Sequence, residues 1–137
     1  MEQYLAFAQE QWLLVVALAI LVVAFLRRES GAAGEKLSVP QVVQAMNADT
    51  AILLDVREAK DFSQGHVANA IHIPHNKISD KLSELQKYKS KQIIVTDALG
   101  QHAGTVCRLL IKEGYSVARM RGGMGEWKQD NLPVVKS

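Results

Sequence analysis

The sequence predicts a three-layer α/β domain with a mainly parallel sheet, preceded by one transmembrane helix. Three observations carry this. A strongly apolar block stands alone at the front of the chain. Behind it, short apolar runs alternate with segments of helical periodicity, the pattern of strands joined by helical crossovers and covered on both faces. About a hundred residues remain after the block, enough for one modest core.

The apolar block comes first. Trp12 to Leu26 is uncharged, and extension back to Tyr4 gives 23 residues with only Glu10 charged. A helix needs about 20 residues to cross the hydrocarbon layer. Glu10 then falls near an interface, where Tyr4 and Trp12 can anchor. A cleaved signal peptide needs a basic start and a small-residue cleavage site. This chain starts acidic, with Glu2 and Glu10, and its apolar run ends in Arg27 and Arg28. Those arginines predict an uncleaved anchor with the N-terminus outside and the following domain in the cytoplasm. A buried core helix is the bland alternative, but a helix apolar all round needs a larger protein to cover it. Residues 1–28 are therefore expected to be the anchor, 29–36 a small-residue linker, and 37–137 the domain.

Within the domain, Ser38, Pro40 and Gln41 predict a helix start with a reciprocal cap. Ala51–Val56 predicts a buried strand, Ala59–Gln64 a helical turn stopped by Gly65, and Ala70–Ile73 a second strand ended by Pro74. Ile78, Leu82 and Leu85 lie at helical spacing. Ile93–Thr96 predicts a third strand. Ala103, Val106, Cys107 and Leu110 form one stripe of a helix that Gly114 ends. Ser116–Arg119 predicts a fourth strand and Gly122–Lys128 a last helix, with Leu132 and Pro133 closing the domain.

Charge narrows the functions. Residues 36–137 hold 14 Lys and Arg against 10 Asp and Glu, weakly basic and short of the dense face of a nucleic-acid binder. Lys77, Lys81, Lys87, Lys89 and Lys91 are interrupted by Asp80 and Glu84, which suits a solvated face. The sequence has one cysteine, Cys107, so no internal disulfide and no Cys-based metal set can form. No cofactor or metal is expected; the spacing of His72 and His75 around Ile73 and Pro74 is by itself poor evidence for a metal site.

Ligands of such sheets bind beyond the carboxyl ends of the strands. The loops Arg57–Asp61, Asp97–His102 and Met120–Met124 are therefore the places for chemistry. The middle loop, Asp97, Ala98, Leu99, Gly100, Gln101 and His102, joins a strand to a helix and can present backbone N–H groups to an anion. A cysteine at its first position would gain from that field. Here Asp97 stands there, already an anion and able to accept those N–H groups itself. Aspartyl nucleophiles need a metal and a second acid, and no DxD follows. A milder expectation is a side-chain pair in which the His102 imidazole donates to Asp97 and stiffens the loop. Cys107, on the helix stripe, is expected to be a buried, inert thiol.

The stretch Leu54, Asp55, Val56, Arg57 and Glu58, then Asp61, Phe62, Gly65, His66, Val67, Ala70, Ile73 and Pro74, resembles the first signature of the rhodanese-like domains. Gly122, Gly123, Met124, Gly125, Glu126 and Trp127, with Leu132 and Pro133, resemble their C-terminal signature. The resemblance covers roughly residues 36–135. It implies a rhodanese-like three-layer fold. Active members transfer sulfur through a loop cysteine in a Cys-x-x-Gly-x-Arg pattern. In the matching stretch Gly100 agrees, Asp97 takes the cysteine position and His102 the arginine position. An anchored domain with Asp there also resembles a group of bacterial inner-membrane proteins. By the same resemblance, Asp55, Arg57 and Glu58 are architectural. Gly65 places His66 in a packed turn, and Trp127 is expected to be a core anchor. Arg119 and Arg121 lead into the third loop and can face Asp97.

The resulting expectation is an anchored, non-catalytic binding or scaffold module, with no catalytic residue and a ligand or partner site at residues 97–102 with Arg121. Its partners are the membrane, through residues 4–26, and an unidentified protein, placed in the membrane; nucleic acid is excluded. Two alternatives stay open. One is a sulfurtransferase using Cys107 or an external thiol. The other is a structural subunit acting through its transmembrane helix, although no GxxxG motif marks that helix for pairing.

Overall fold

The computed structural model describes residues 1–32 and 34–136 and divides them between two units, Met1–Gly31 and Ala32–Ser137. The first unit is a helix, α1 (Glu2–Ala32). Its stretch Glu2–Arg28 is long and apolar enough to cross a membrane. At 1.5 Å per residue it spans about 40 Å, more than the roughly 30 Å hydrocarbon layer. Leu14, Leu18, Leu21 and Phe25 all lie exposed on it.

The second unit is an α/β/α sandwich. Its elements are β1 (Glu35–Leu37), α2 (Val39–Asn47), β2 (Ala51–Asp55), α3 (Ala59–Gln64), β3 (Ile71–His72), α4 (Leu82–Leu85), β4 (Gln92–Thr96), α5 (Ala103–Lys112), β5 (Val117–Met120) and α6 (Gly123–Gln129). The sheet order is β1-β5-β4-β2-β3, and every pair is parallel. Strand alternation sorts the core into two faces. Leu54, Ile93 and Val95 pack with the α5 stripe of Ala103, Val106, Cys107 and Leu110, and with Ile78 and Leu85. Leu53, Ile94, Ala118 and Met120 pack on the opposite face with Val39, Val42, Met124 and Trp127. β2 and β4 are buried on both faces, which is why they read as continuous apolar runs.

Local signals explain the helix starts. Ser38 Oγ accepts from Gln41 N at 3.4 Å, while Gln41 Oε1 accepts from Ser38 N at 2.9 Å. This is the reciprocal cap the sequence predicts for α2. Ile78, Leu82 and Leu85 do share a face, but across 3-10 turns at 75–77 and 79–81 and the single α-helical turn of α4.

The boundary between anchor and domain differs from the expected one. Within the segment 29–36 the helix continues through Ala32 and β1 begins at Glu35, ahead of Leu37; Ala33 lies outside the described residues. The strand forms because β5 offers it an edge: Arg121 N donates to Leu37 O at 2.8 Å. Gly34 makes the approach possible, since a Cβ there would lie 2.9 Å from Val117 O.

Candidate functional site

β2, β4 and β5 are neighbours and run in parallel, so the loops that follow Asp55, Thr96 and Met120 gather at one end of the sheet. The central loop is organised by one side chain. The Asp97 carboxylate accepts backbone N–H groups from Gly100, from His102 at 2.5 Å and from Ala103 at 3.1 Å. Asp97 is 2% exposed, and a buried carboxylate is tolerated when its oxygens are bonded in this way. These N–H groups include the first of α5, so Asp97 caps that helix from upstream and places negative charge at its positive end.

The third loop clamps the first turn of this arrangement. Met124 N donates to Asp97 O at 2.7 Å, and Gly125 N to Ala98 O at 2.9 Å. Gly123 has φ +60, and a Cβ on it would sit 2.4 Å from Asp97 O. Only glycine allows both the backbone angle and the approach.

The expected Asp97–His102 side-chain pair is corrected. Asp97 bonds the backbone N–H of His102, and the His102 imidazole instead stacks on His75, with centroids 4.2 Å apart and planes 6° from parallel. A backbone donor five residues on lies on the inside of the loop, whereas the side chain of exposed His102 points to its neighbour ring.

The expected single pocket of residues 97–102 with Arg121 also divides. Leu99 and Gly100 line a cleft of about 110 Å³ with Arg121, Arg119 and Lys36. Ala98 lines a separate hollow of about 210 Å³ with Arg57, Asp61, Met124 and Gly125. Asp97, Gln101 and His102 line neither. Lys36 is the residue that sequence reasoning missed, because it fell in the expected linker. Its position follows from the β1–β5 register, which sets Lys36 beside Arg119.

The first loop is architectural. Arg57 makes a forked pair with Asp55, Nη2 to Oδ2 at 2.7 Å and Nε to Oδ1 at 3.0 Å, and Nη2 also donates to Gly65 O at 2.8 Å. The fork is nearly closed to solvent and ties β2 to the turn after α3. Phe62 lies between two imidazoles, His66 at 3.8 Å and His72 at 4.2 Å. His66 Nδ1 bonds Phe62 O and His72 Nε2 bonds Arg57 O, both at 2.8 Å. Trp127 is buried, with its indole N–H donating to Pro133 O at 3.1 Å.

Cys107 is fully buried on α5. Burial pushes its thiol up to about 12; Arg119 pulls the other way and Asp97 adds to the rise. A thiol held that high is a poor nucleophile near neutrality. Among the described residues no group of three or more His, Cys, Asp and Glu is placed to hold a metal.

A five-stranded parallel sheet between helices, with a strand–loop–helix cradle at its carboxyl end, is the architecture of the rhodanese-like proteins. The chain belongs to the rhodanese-like domain family, whose model matches residues 38–130. It is 28% identical to the uncharacterized protein YibN of Escherichia coli strain K12, over 99% of each chain. It is 27% identical to the thiosulfate sulfurtransferase GlpE of Pseudomonas savastanoi pv. phaseolicola, over 65% of this chain and 83% of that one. A rhodanese-related protein from Thermoplasma volcanium shares the fold with a TM-score of 0.69 at 24% identity, covering 75% of this chain and 99% of that one.

Proposed function

We propose that this chain is a membrane-anchored, non-catalytic rhodanese-like domain that serves as a cytoplasm-facing binding module at the inner membrane. The observation that carries the reading is the Asp97 carboxylate inside its loop. Asp97 stands where active members of the family carry the nucleophilic cysteine, and His102 where they carry arginine. The carboxylate takes three of the N–H donors that such a loop would offer to an anionic substrate. It cannot carry sulfur as a persulfide. Cys107, the one cysteine in the sequence, is buried among apolar side chains.

Exposed groups around the loop suit binding. Leu99 is 67% exposed at its tip, an apolar side chain beside the basic Arg121. Arg27 and Arg28 at the end of the apolar run support the orientation with the domain in the cytoplasm. The sulfurtransferase reading draws support from the names of relatives such as GlpE. On this chain it requires Cys107 to leave the core or an external thiol to act in its place.

The test is cross-linked capture of partners from membranes with the full chain, wild type against Leu99→Asp. Loss of the captured protein on that change supports the loop as the binding surface. Retention on Leu99→Asp, with loss when residues 4–26 are exchanged for an unrelated anchor, would move function to the helix.

A further inference from the structure

The geometry points to a binding site for a compact oxyanion, of phosphate or sulfate size, in the cleft framed by Lys36, Arg119 and Arg121. This deepens the proposed binding role of the 97–102 loop by naming a ligand class for one side of it.

The cleft collects positive charge, and its lining residues include no carboxylate. Lys36 and Arg119 are register partners on adjacent parallel strands. Like charges side by side on neighbouring strands repel, and strands lie only about 4.8 Å apart. Arg121 adds a third cation from the loop that follows. The ion pairs among the described residues are Arg57 with Asp55 and Lys91 with Asp49, so none of the three cations has a carboxylate within salt-bridge distance. Two nearby acids are engaged elsewhere: Asp97 is held by its own loop and Glu35 accepts from Gln92 Nε2 at 3.2 Å. The Glu126 carboxylate lies against Gly122 at the rim of the cleft, outside salt-bridge distance of the three cations.

Arg119 supplies a second, independent observation. Its Nε is buried and has no hydrogen-bond partner among the described residues, and its Nη2 makes only a 3.4 Å bond to Gly34 O. Buried donors are almost always satisfied, and an unsatisfied one carries the full desolvation penalty. An oxyanion in the cleft answers the unpaired charge, since a guanidinium bonds phosphate and sulfate oxygens through its fork; Nε, closed to solvent, gains a partner only when the side chain turns toward the cleft. The volume fits the size class. About 110 Å³ has room for a tetrahedral oxyanion. Gly100 leaves the wall open, with nothing within 4 Å of where its Cβ would be. The site lies beside the Asp97 cradle and does not use its N–H groups.

The experiment is titration of the full chain in neutral detergent with inorganic phosphate and with sulfate, ionic strength held constant with chloride. Backbone amide NMR is the readout. Saturable shifts are expected at Gly100, Gly122 and the β1–β5 edge. Arg119→Gln and Arg121→Gln should each weaken binding about tenfold, the effect of losing one charge-assisted hydrogen bond. Arg108→Gln on the exposed side of α5 should leave it unchanged. Arg121 is exposed, so its variant keeps the test open if Arg119→Gln does not fold. Phosphate should also raise the Tm of wild type more than matched chloride does, and lose that effect in Arg121→Gln. Linear, unsaturated shifts overturn the proposal, as does binding equally weakened by Arg108→Gln. Thiosulfate-to-cyanide turnover on the same preparations judges the non-catalytic reading separately, because a chain can bind phosphate here and still be tested for sulfur transfer.

Discussion

The Asp97 carboxylate accepts the backbone N–H of His102 at 2.5 Å, closing the 97–102 loop on itself. With the Gly100 and Ala103 donors it makes a filled cradle. Replacing Asp97 by Ala leaves these donors without an acceptor at a buried position. Each unsatisfied buried donor costs about 1–3 kcal/mol, partly relieved by entering water. Asp97→Ala is expected to lower unfolding free energy by about 2–3 kcal/mol in urea titration. Asp97→Asn, which keeps a carbonyl oxygen, should lose less.

Gly123 is fixed by the same loop. Alanine there meets Asp97 O at 2.4 Å and must hold φ +60. Gly123→Ala should cost about 1–3 kcal/mol from overpacking and backbone strain. In amide NMR the perturbation should reach Gly100 and Ala103, because α6 is hydrogen-bonded to the Asp97 loop that holds them. Gly114, which also has positive φ but open space around it, should show only the smaller conformational cost on mutation to alanine.

Arg57→Met should be among the most damaging single changes outside the sheet. It leaves the fully buried Asp55 carboxylate without its guanidinium fork. Removing one partner of a buried pair typically costs about 3–5 kcal/mol. Joint replacement of Asp55 and Arg57 by apolar residues should recover part of that loss, measured by the same urea titration.

Cys107 makes a prediction with a sign. Its thiol is raised from 9.0 to about 12 in the folded chain, chiefly by burial. The unfolded chain ionises it from about pH 9 upward. The stability it contributes is therefore whole below pH 9 and is lost as pH rises from about 9 to about 12. Cys107→Ala should flatten that part of the stability–pH curve relative to wild type. At neutral pH a thiol reagent should modify Cys107 only as fast as the domain unfolds.

Much of the domain was legible because its signals are local. Ser38 and Gln41 sit three residues apart and cap each other. Ala103, Val106, Cys107 and Leu110 announce the buried face of α5 by spacing alone. β2 and β4 are apolar on both faces and cannot be hidden. β1 was not legible: of Glu35, Lys36 and Leu37 only one is apolar, and the strand exists because β5 pairs with it. The same distant pairing brings Lys36 to Arg119, so the cationic cleft has no sequence signature. Residues 97–102 do join a strand to a helix, yet the donor from His102 is its backbone, a distinction that residue types do not carry.

Thiosulfate-to-cyanide transfer on the full chain in detergent shows whether Asp97 in the loop leaves this rhodanese-like domain without sulfur transfer. Wild type, Cys107→Ser and the pair Asp97→Cys with His102→Arg are compared for thiocyanate formation. The account predicts that wild type and Cys107→Ser stay at the uncatalysed rate, while the restored loop turns over. Turnover by wild type that Cys107→Ser abolishes would contradict it and make the helix thiol the nucleophile.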